Sequence, residues 1–353
     1  ATTEIYTLSL HDALPICNMR VFYEEMKEKL QSILVKHGFD EKRAEESAKN
    51  FADSSLDGVY SHGYQRFPRV IDYIQKGYID VNAVPEKITG FGAVERWDGH
   101  LGMGNLNAKM AMQRAVELAA QLGIGMVAMS NTNHWMRGGA YGWQAAEAGC
   151  IGICWTNTCP NMPAWGAIDG RIGNNPFVLA VPDQNGEHVV VDTAMAQYSY
   201  GKLSVCRQNG EKLPYPGGYD EEGSLTCDPA AIEKTRRVVP IGYWKGSGLS
   251  IVLDLIGGIL TLGRTVTKVG QECESEYGLT QVFIAIRPEV LNQDPDKAQE
   301  ILNETLKDIQ ASIPEKEGHP VRYPGQGTLI RRRENLKNGI PVNEEIWKKI
   351  CEL

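Results

Sequence analysis

The sequence predicts a mixed α/β protein with helical segments at both chain ends. Three observations predict it. Apolar residues recur at helical spacing over 19–85, short apolar runs of β type alternate with small-residue helices from about Glu86, and a charged helical pattern returns from about Asp294. No internal repeat or low-complexity tract interrupts this order.

Phe22, Met26, Leu30 and Ile33 form the first helical stripe, which Gly38 ends. Asp40 stands where an N-cap belongs, and Ala44, Ala48 and Phe51 give the second stripe. Leu56–Gly63 breaks the pattern. A third helix follows, with Phe67, Val70, Ile71 and Ile74 inward and Gly77 as its stop. Beyond Glu86, Ala108–Leu122 and Gly138–Ala148 read as helices. Gly123–Met129, Ile151–Thr156, Phe177–Pro182, Val189–Val191 and Gln281–Arg287 read as strands. Tyr243–Leu262 is a glycine-rich turn leading into a long apolar helix. Ser247, Ser250, Asp254 and several glycines interrupt it, so it is expected to be buried in a soluble core and not to span a membrane.

The 36 Lys+Arg against 44 Asp+Glu give a net charge of −8, which repels nucleic acid and anionic membrane surfaces; neither is an expected partner. The eight cysteines lack zinc-site spacing and are expected to be reduced thiols of a cytoplasmic protein. Ala1–Cys17 has neither the basic nor the apolar region of a signal peptide. Residues 1–18 are read as a non-native leader, with Met19 as the native start.

Three loop clusters carry residue types suited to chemistry. Ser61-His62-Gly63 precedes a helix, with Arg66 a turn later. Reducing a ketone requires a hydride on carbon and a proton on oxygen; histidine delivers protons near neutral pH, and arginine holds a carboxylate bidentately. By itself the motif reads better as a structural histidine capping a helix. Asn133-His134-Trp135-Met136-Arg137-Gly138-Gly139 follows a strand, where α/β proteins bind ligands, although a turn with a packed tryptophan reads the same way. Tyr243-Trp244-Lys245-Gly246-Ser247-Gly248 brings a cation and a glycine-lined helix start together, which suits an anion. Gly102-Met103-Gly104 resembles a dinucleotide fingerprint, but Asn107 replaces the third glycine and Asn131 and Asn133 stand where an acid belongs. A tight turn before a helix is the better reading.

Together these clusters resemble the type-2 malate/L-lactate dehydrogenase family of non-Rossmann, NAD(P)-dependent oxidoreductases. The matching runs are Val59–Gly63, Asn133–Tyr141, Gly142–Glu147, Ile151–Asn157 and Tyr243–Asp254, within a likeness that covers nearly all of 19–353. The resemblance implies a mixed-sheet α/β cofactor domain of the sulfolactate/malate dehydrogenase type at 86–293. It implies a helical substrate-side segment at 19–85 and a C-terminal helical segment at 294–353 packing on it. It implies reduction of a small, sugar-derived 2-keto acid by NADH, with NADP as the alternative cofactor, in a homodimer with active sites near the interface. A malate-, lactate-, sulfolactate- or ureidoglycolate-type substrate is the sibling reading, and a non-catalytic nucleotide-binding protein the reading of a different class.

Residue by residue, the resemblance makes His62 the proton donor and Arg66 the grip on the substrate carboxylate, with His134 the second acid–base candidate. His188, Val189, Val190, Val191, Asp192, Thr193 and Ala194 would line the cofactor, with Trp244, Lys245, Gly325, Gln326 and Gly327. Relatives usually carry an acid at the position of Gly327, so this chain departs from the pattern there.

Overall fold

The computed structural model describes residues 19–353, so the expected leader lies outside the described residues. The central element is a seven-stranded sheet. In spatial order it runs Glu86–Phe91, Val94–Asp98, Ile124–Thr132, Leu279–Ile286, Ile151–Thr156, Phe177–Val181 and Val189–Thr193. Val94–Asp98 and Ile124–Thr132 run parallel, and every other neighbouring pair is antiparallel. A Rossmann sheet is mostly parallel, so this largely antiparallel mixed sheet is a different construction, as expected.

Alternation along the strands builds two cores. Val127, Met129, Cys154, Phe283 and Ala285 face the helices Gly104–Leu122 and Gly139–Glu147, whereas Ala128, Trp155 and Val282 face the opposite layer with Leu203 and Leu253. A third core joins the chain ends. Met26, Leu30 and Phe51 pack with Ile340, Trp347 and Ile350, and Met19–Val21 pairs antiparallel with Ile340–Val342. Within 294–353, the helix Pro295–Gln310 lies elsewhere, against the turn at Asp183, to which Gln299 donates at 2.6 Å.

The N-terminal helices follow the sequence closely. Asp40 caps Glu41–Leu56 by accepting from Arg43 N–H, and Gly38 takes a φ of +99° between the two helices. The helix Trp244–Thr261 corrects an expectation, because it is not buried all round. It packs through small residues, among them Gly246, Ser250, Gly257 and Gly258, while Leu249, Val252, Leu255 and Ile259 face outward. Small side chains allow close contact with the sheet, so the bulky ones are left on the outer face. Among the described residues, no single helix is long and apolar enough to cross a membrane. The seven cysteines within 19–353 are free, as expected.

Candidate active site

The first loop cluster folds as two short 3-10 turns, Tyr60–His62 and Tyr64–Arg66. Gly63 between them lies so close to the helix Glu41–Leu56 that a Cβ there would meet Ser55 Oγ at 2.2 Å and Phe51 O at 3.1 Å. Ser55 Oγ also accepts Tyr64 N–H at 2.9 Å. Only glycine permits this approach, and it fixes where His62 stands. The second cluster is fixed the same way from the opposite side. A Cβ on Gly104 would lie 2.2 Å from His134 O, so a glycine at the helix start lets that helix abut the Asn133–His134 backbone. Buried Asn133 anchors the turn by donating from Nδ2 to the carbonyls of Tyr78, Leu101 and Gly102 at 3.1, 2.8 and 3.0 Å.

These constraints bring His62 and His134 together, with ring centroids 5.7 Å apart and planes 18° from parallel. Met136 N–H donates to His134 Nδ1 at 3.0 Å, so the neutral ring carries its proton on Nε2. Enclosure away from bulk water holds the His134 pKa well below the ordinary histidine value, and the positive charges of Arg66, His62 and Arg69 add to this. Ser61 Oγ lies 3.1 Å from His62 Nδ1.

Both histidines line a cavity of about 340 Å³ that also contains Asp192, Lys202 and Arg137. Of the strand expected to line the cofactor, Val190, Asp192 and Ala194 reach this cavity. Val189, Val191 and Thr193 do not, as alternation along a strand requires. Asp192 accepts Gly139 N–H at 2.7 Å, and desolvation pushes its carboxyl pKa up against the pull of Arg137. His188 turns away from the cavity: its ring packs on Trp143 and its Nδ1 accepts Asp183 N–H. Gly325–Gly327 opens the helix Gln326–Asn338, held against the same strand by Val190 N–H donating to Pro324 O at 3.0 Å, and Thr328 reaches the cavity.

Two expected groups stand apart from His62's cavity. Arg66 points behind His134 into a small recess shared with Arg69 and Asn133, and its Nη2 donates to Glu276 at 3.3 Å. Burial pulls the Arg66 pKa down, and Glu276 offsets part of this. Trp244 is exposed, with the Lys245 amine 5.9 Å above its ring. Their segment joins the site through Ile241 N–H, which donates to Met195 O just beyond the Asp192–Ala194 stretch.

Sequence reasoning missed a buried charge cluster beside the cavity. Asp57 accepts from Arg137 Nη1 and from Arg332 at 2.6 and 2.9 Å. Arg137 stood in the second loop cluster, but nothing in the sequence set Asp57 or Arg332 beside it. Only the unlike charges at unlike positions hinted at pairing.

The residues present suit a nicotinamide dinucleotide. The cavity wall is backbone, small side chains and a carboxylate along Val190–Ala194, and next to it the buried polar atoms Trp143 Nε1, Arg137 Nε and Gln326 Oε1 have no hydrogen-bond partner. A ligand bearing both donors and acceptors meets those needs.

The chain belongs to the malate/L-lactate dehydrogenase family, whose model matches residues 21–351. It is 46% identical over 335 residues to the 2,3-diketo-L-gulonate reductase of Escherichia coli K12, covering 95% of this chain and all of that one. Among solved structures, the sulfolactate dehydrogenase of Methanocaldococcus jannaschii superimposes with a TM-score of 0.86 at 29% identity, over 95% of this chain and 97% of that one. The malate dehydrogenase of Pyrococcus horikoshii OT3 also gives 0.86, at 26% identity over 96% and 95%. Membership makes the protein an oxidoreductase acting on CH–OH groups with a nicotinamide cofactor.

Proposed function

We propose that the protein reduces 2,3-diketo-L-gulonate, or a close sugar-derived 2-keto acid, to the 2-hydroxy acid with NADH, and that His62 delivers the proton. The observation that carries the proton assignment is the unequal state of the two stacked histidines. His134 is enclosed, faces guanidinium charge and has Nδ1 committed to Met136 N–H, so it remains neutral and offers only an Nε2–H hydrogen bond. His62, oriented by Ser61, is left as the group that gives up a proton to the developing alkoxide.

The bound nicotinamide supplies the hydride. Arg66 is the proposed grip on the substrate carboxylate, which requires its fork, engaged through one nitrogen by Glu276 in the recess behind His134, to turn toward the cavity when substrate binds. The cofactor runs along His188–Ala194, with backbone and the inward side chains making contact, and is completed by Trp244, Lys245 and Gly325–Gly327. In this reading 19–85 is the substrate side, 86–293 the cofactor side and 294–353 the closing segment. The sugar-acid substrate is favoured by the 46% identity to the Escherichia coli reductase, well above the 29% and 26% to the sulfolactate and malate enzymes.

The protein acts as a homodimer in the cytoplasm. The outward apolar face of Trp244–Thr261 supports the dimer, since such a face on a water-soluble enzyme requires cover, and a second copy supplies an identical one. Trp244 and Lys245 open that helix, so dimer formation places them at a shared boundary. The free cysteines fit a reducing compartment.

Loss of reduced-cofactor absorbance against a panel of 2-keto acids, with NADH and NADPH in parallel, tests the reading. The expected result is the highest kcat/KM for 2,3-diketo-L-gulonate with NADH. Preference for malate-, lactate- or sulfolactate-type partners overturns the substrate, and no turnover with any overturns the activity.

A further inference from the structure

Two buried donors on the cavity wall lack acceptors. Arg137 and Trp143 are only 6% and 5% exposed, yet Arg137 Nε and Trp143 Nε1 make no hydrogen bond. Both residues also line a second cavity of about 410 Å³, so they form the partition between it and the cavity of His62. The partition is rigidly backed. Asp57 holds the Arg137 and Arg332 guanidinium groups together, Arg332 lies 5.5 Å over the Trp143 ring, and His188 packs on the same ring at 5.4 Å. Asp57 is shared by the two guanidinium groups, and Asp192 also acts on Arg137. A buried N–H without an acceptor is costly, so two of them on one wall call for a ligand oxygen.

We propose that Arg137 Nε–H and Trp143 Nε1–H receive a phosphate oxygen of the dinucleotide, making the partition the anion cradle for the cofactor. This rests on the cofactor reading above. The other anion in the reaction is the keto acid's carboxylate. That carboxylate is bonded directly to the carbon being reduced, so it must lie beside the histidines. The charges divide the same way: Arg66 and Arg69 act on His134, whereas Arg137 acts on Asp192. Trp143 belongs to the cofactor end, packing on His188 and sharing the cavity wall with Val190 and Thr328, next to the Gly325–Gly327 turn. The proposed contacts along the strand and the turn thereby gain a charged anchor between them.

The test is calorimetric titration of the full chain with ADP-ribose, which has the pyrophosphate but no nicotinamide, and with NADH. Trp143→Phe removes the N–H and keeps the ring. The expected result is roughly tenfold weaker binding of both ligands, with KM for the keto acid unchanged at saturating NADH. Arg137→Lys removes Nε and is expected to weaken both ligands as well; should it fail to fold, Trp143→Phe alone decides. ADP-ribose binding by Trp143→Phe equal to the parent protein's overturns the proposal. In that case a raised KM assigns the donor to the substrate carboxylate, and unchanged kinetics assign it to water. Failure of every 2-keto acid to turn over would sink the functional reading instead, and would leave the ADP-ribose comparison intact.

Discussion

His62 and His134 lie ring against ring, 5.7 Å between centroids and 18° from parallel, although 72 positions separate them in the chain. Two imidazoles this close resist being charged together, and the positive charge of His62 is one reason that the His134 pKa is low. On the proposed function the pair divides its labour: His62 exchanges the proton and His134 stays neutral.

That division has a stability signature. In the unfolded chain His134 takes up a proton near its ordinary value of 6.5, but in the folded protein it does so only well below that. Below about pH 6.5 the unfolded state thus binds more protons, and stability falls as pH falls, by up to about 1.4 kcal/mol per pH unit for one such group. Above that range the group contributes nothing to the slope. His188, also held low by burial, adds in the same direction. His134→Asn is expected to lose less Tm than the parent between about pH 6.5 and 5.5. Parallel Tm curves would show that His134 titrates normally in the folded chain.

Arg66→Lys replaces a planar fork with a point charge while leaving a cation near Glu276. KM for carboxylate substrates is expected to rise roughly tenfold or more with NADH affinity preserved. Unchanged steady-state kinetics would remove Arg66 from the site and leave its contact with Glu276 purely structural.

Asp57→Ala leaves Arg137 and Arg332 facing one another beside the cavity without their shared carboxylate. Removing one member of a buried ion cluster is expected to cost about 3–5 kcal/mol, read by denaturant unfolding. A loss below about 1 kcal/mol would mean that solvent already screens this cluster, as it does exposed pairs.

Leu255 and Ile259 stand on the outward face of Trp244–Thr261. The double substitution Leu255→Asp with Ile259→Asp is expected to convert a dimer to a monomer by light scattering, because charge on an apolar interface must be desolvated. A monomeric parent protein, or a dimer that survives the substitutions, would contradict the assigned interface.

Much of the fold was legible because local rules decided it. The strand Ile151–Thr156 was read at its true limits, and the cap at Asp40 and the stop at Gly38 stand where propensity puts them. The helix Gly104–Leu122 begins earlier than its apolar stripe suggested, since Gly104 abuts the Asn133–His134 backbone, Asn105 bonds Ser47, and Asn107 bonds Gly99 and Thr132. The outward face of Trp244–Thr261 was misread because a glycine- and serine-spaced stripe looks like an interruption, when it is the packing surface itself. At the site, the histidines were visible as loop motifs, but their stacking was not. Neither were the long-range partners that define the chemistry: Glu276 on Arg66, Asp57 on Arg137, and Arg332 over Trp143. Pairs 80 or 210 positions apart leave no periodic trace in one sequence.

The most direct test of the central claim compares single-turnover reduction of 2,3-diketo-L-gulonate by the parent protein, His62→Ala and His134→Asn, each preloaded with NADH. His62→Ala is expected to slow reduction by about 10²–10⁴-fold while NADH binding is preserved, and His134→Asn to be affected much less. Near-normal turnover in His62→Ala with collapse in His134→Asn would contradict that claim and move proton donation to His134.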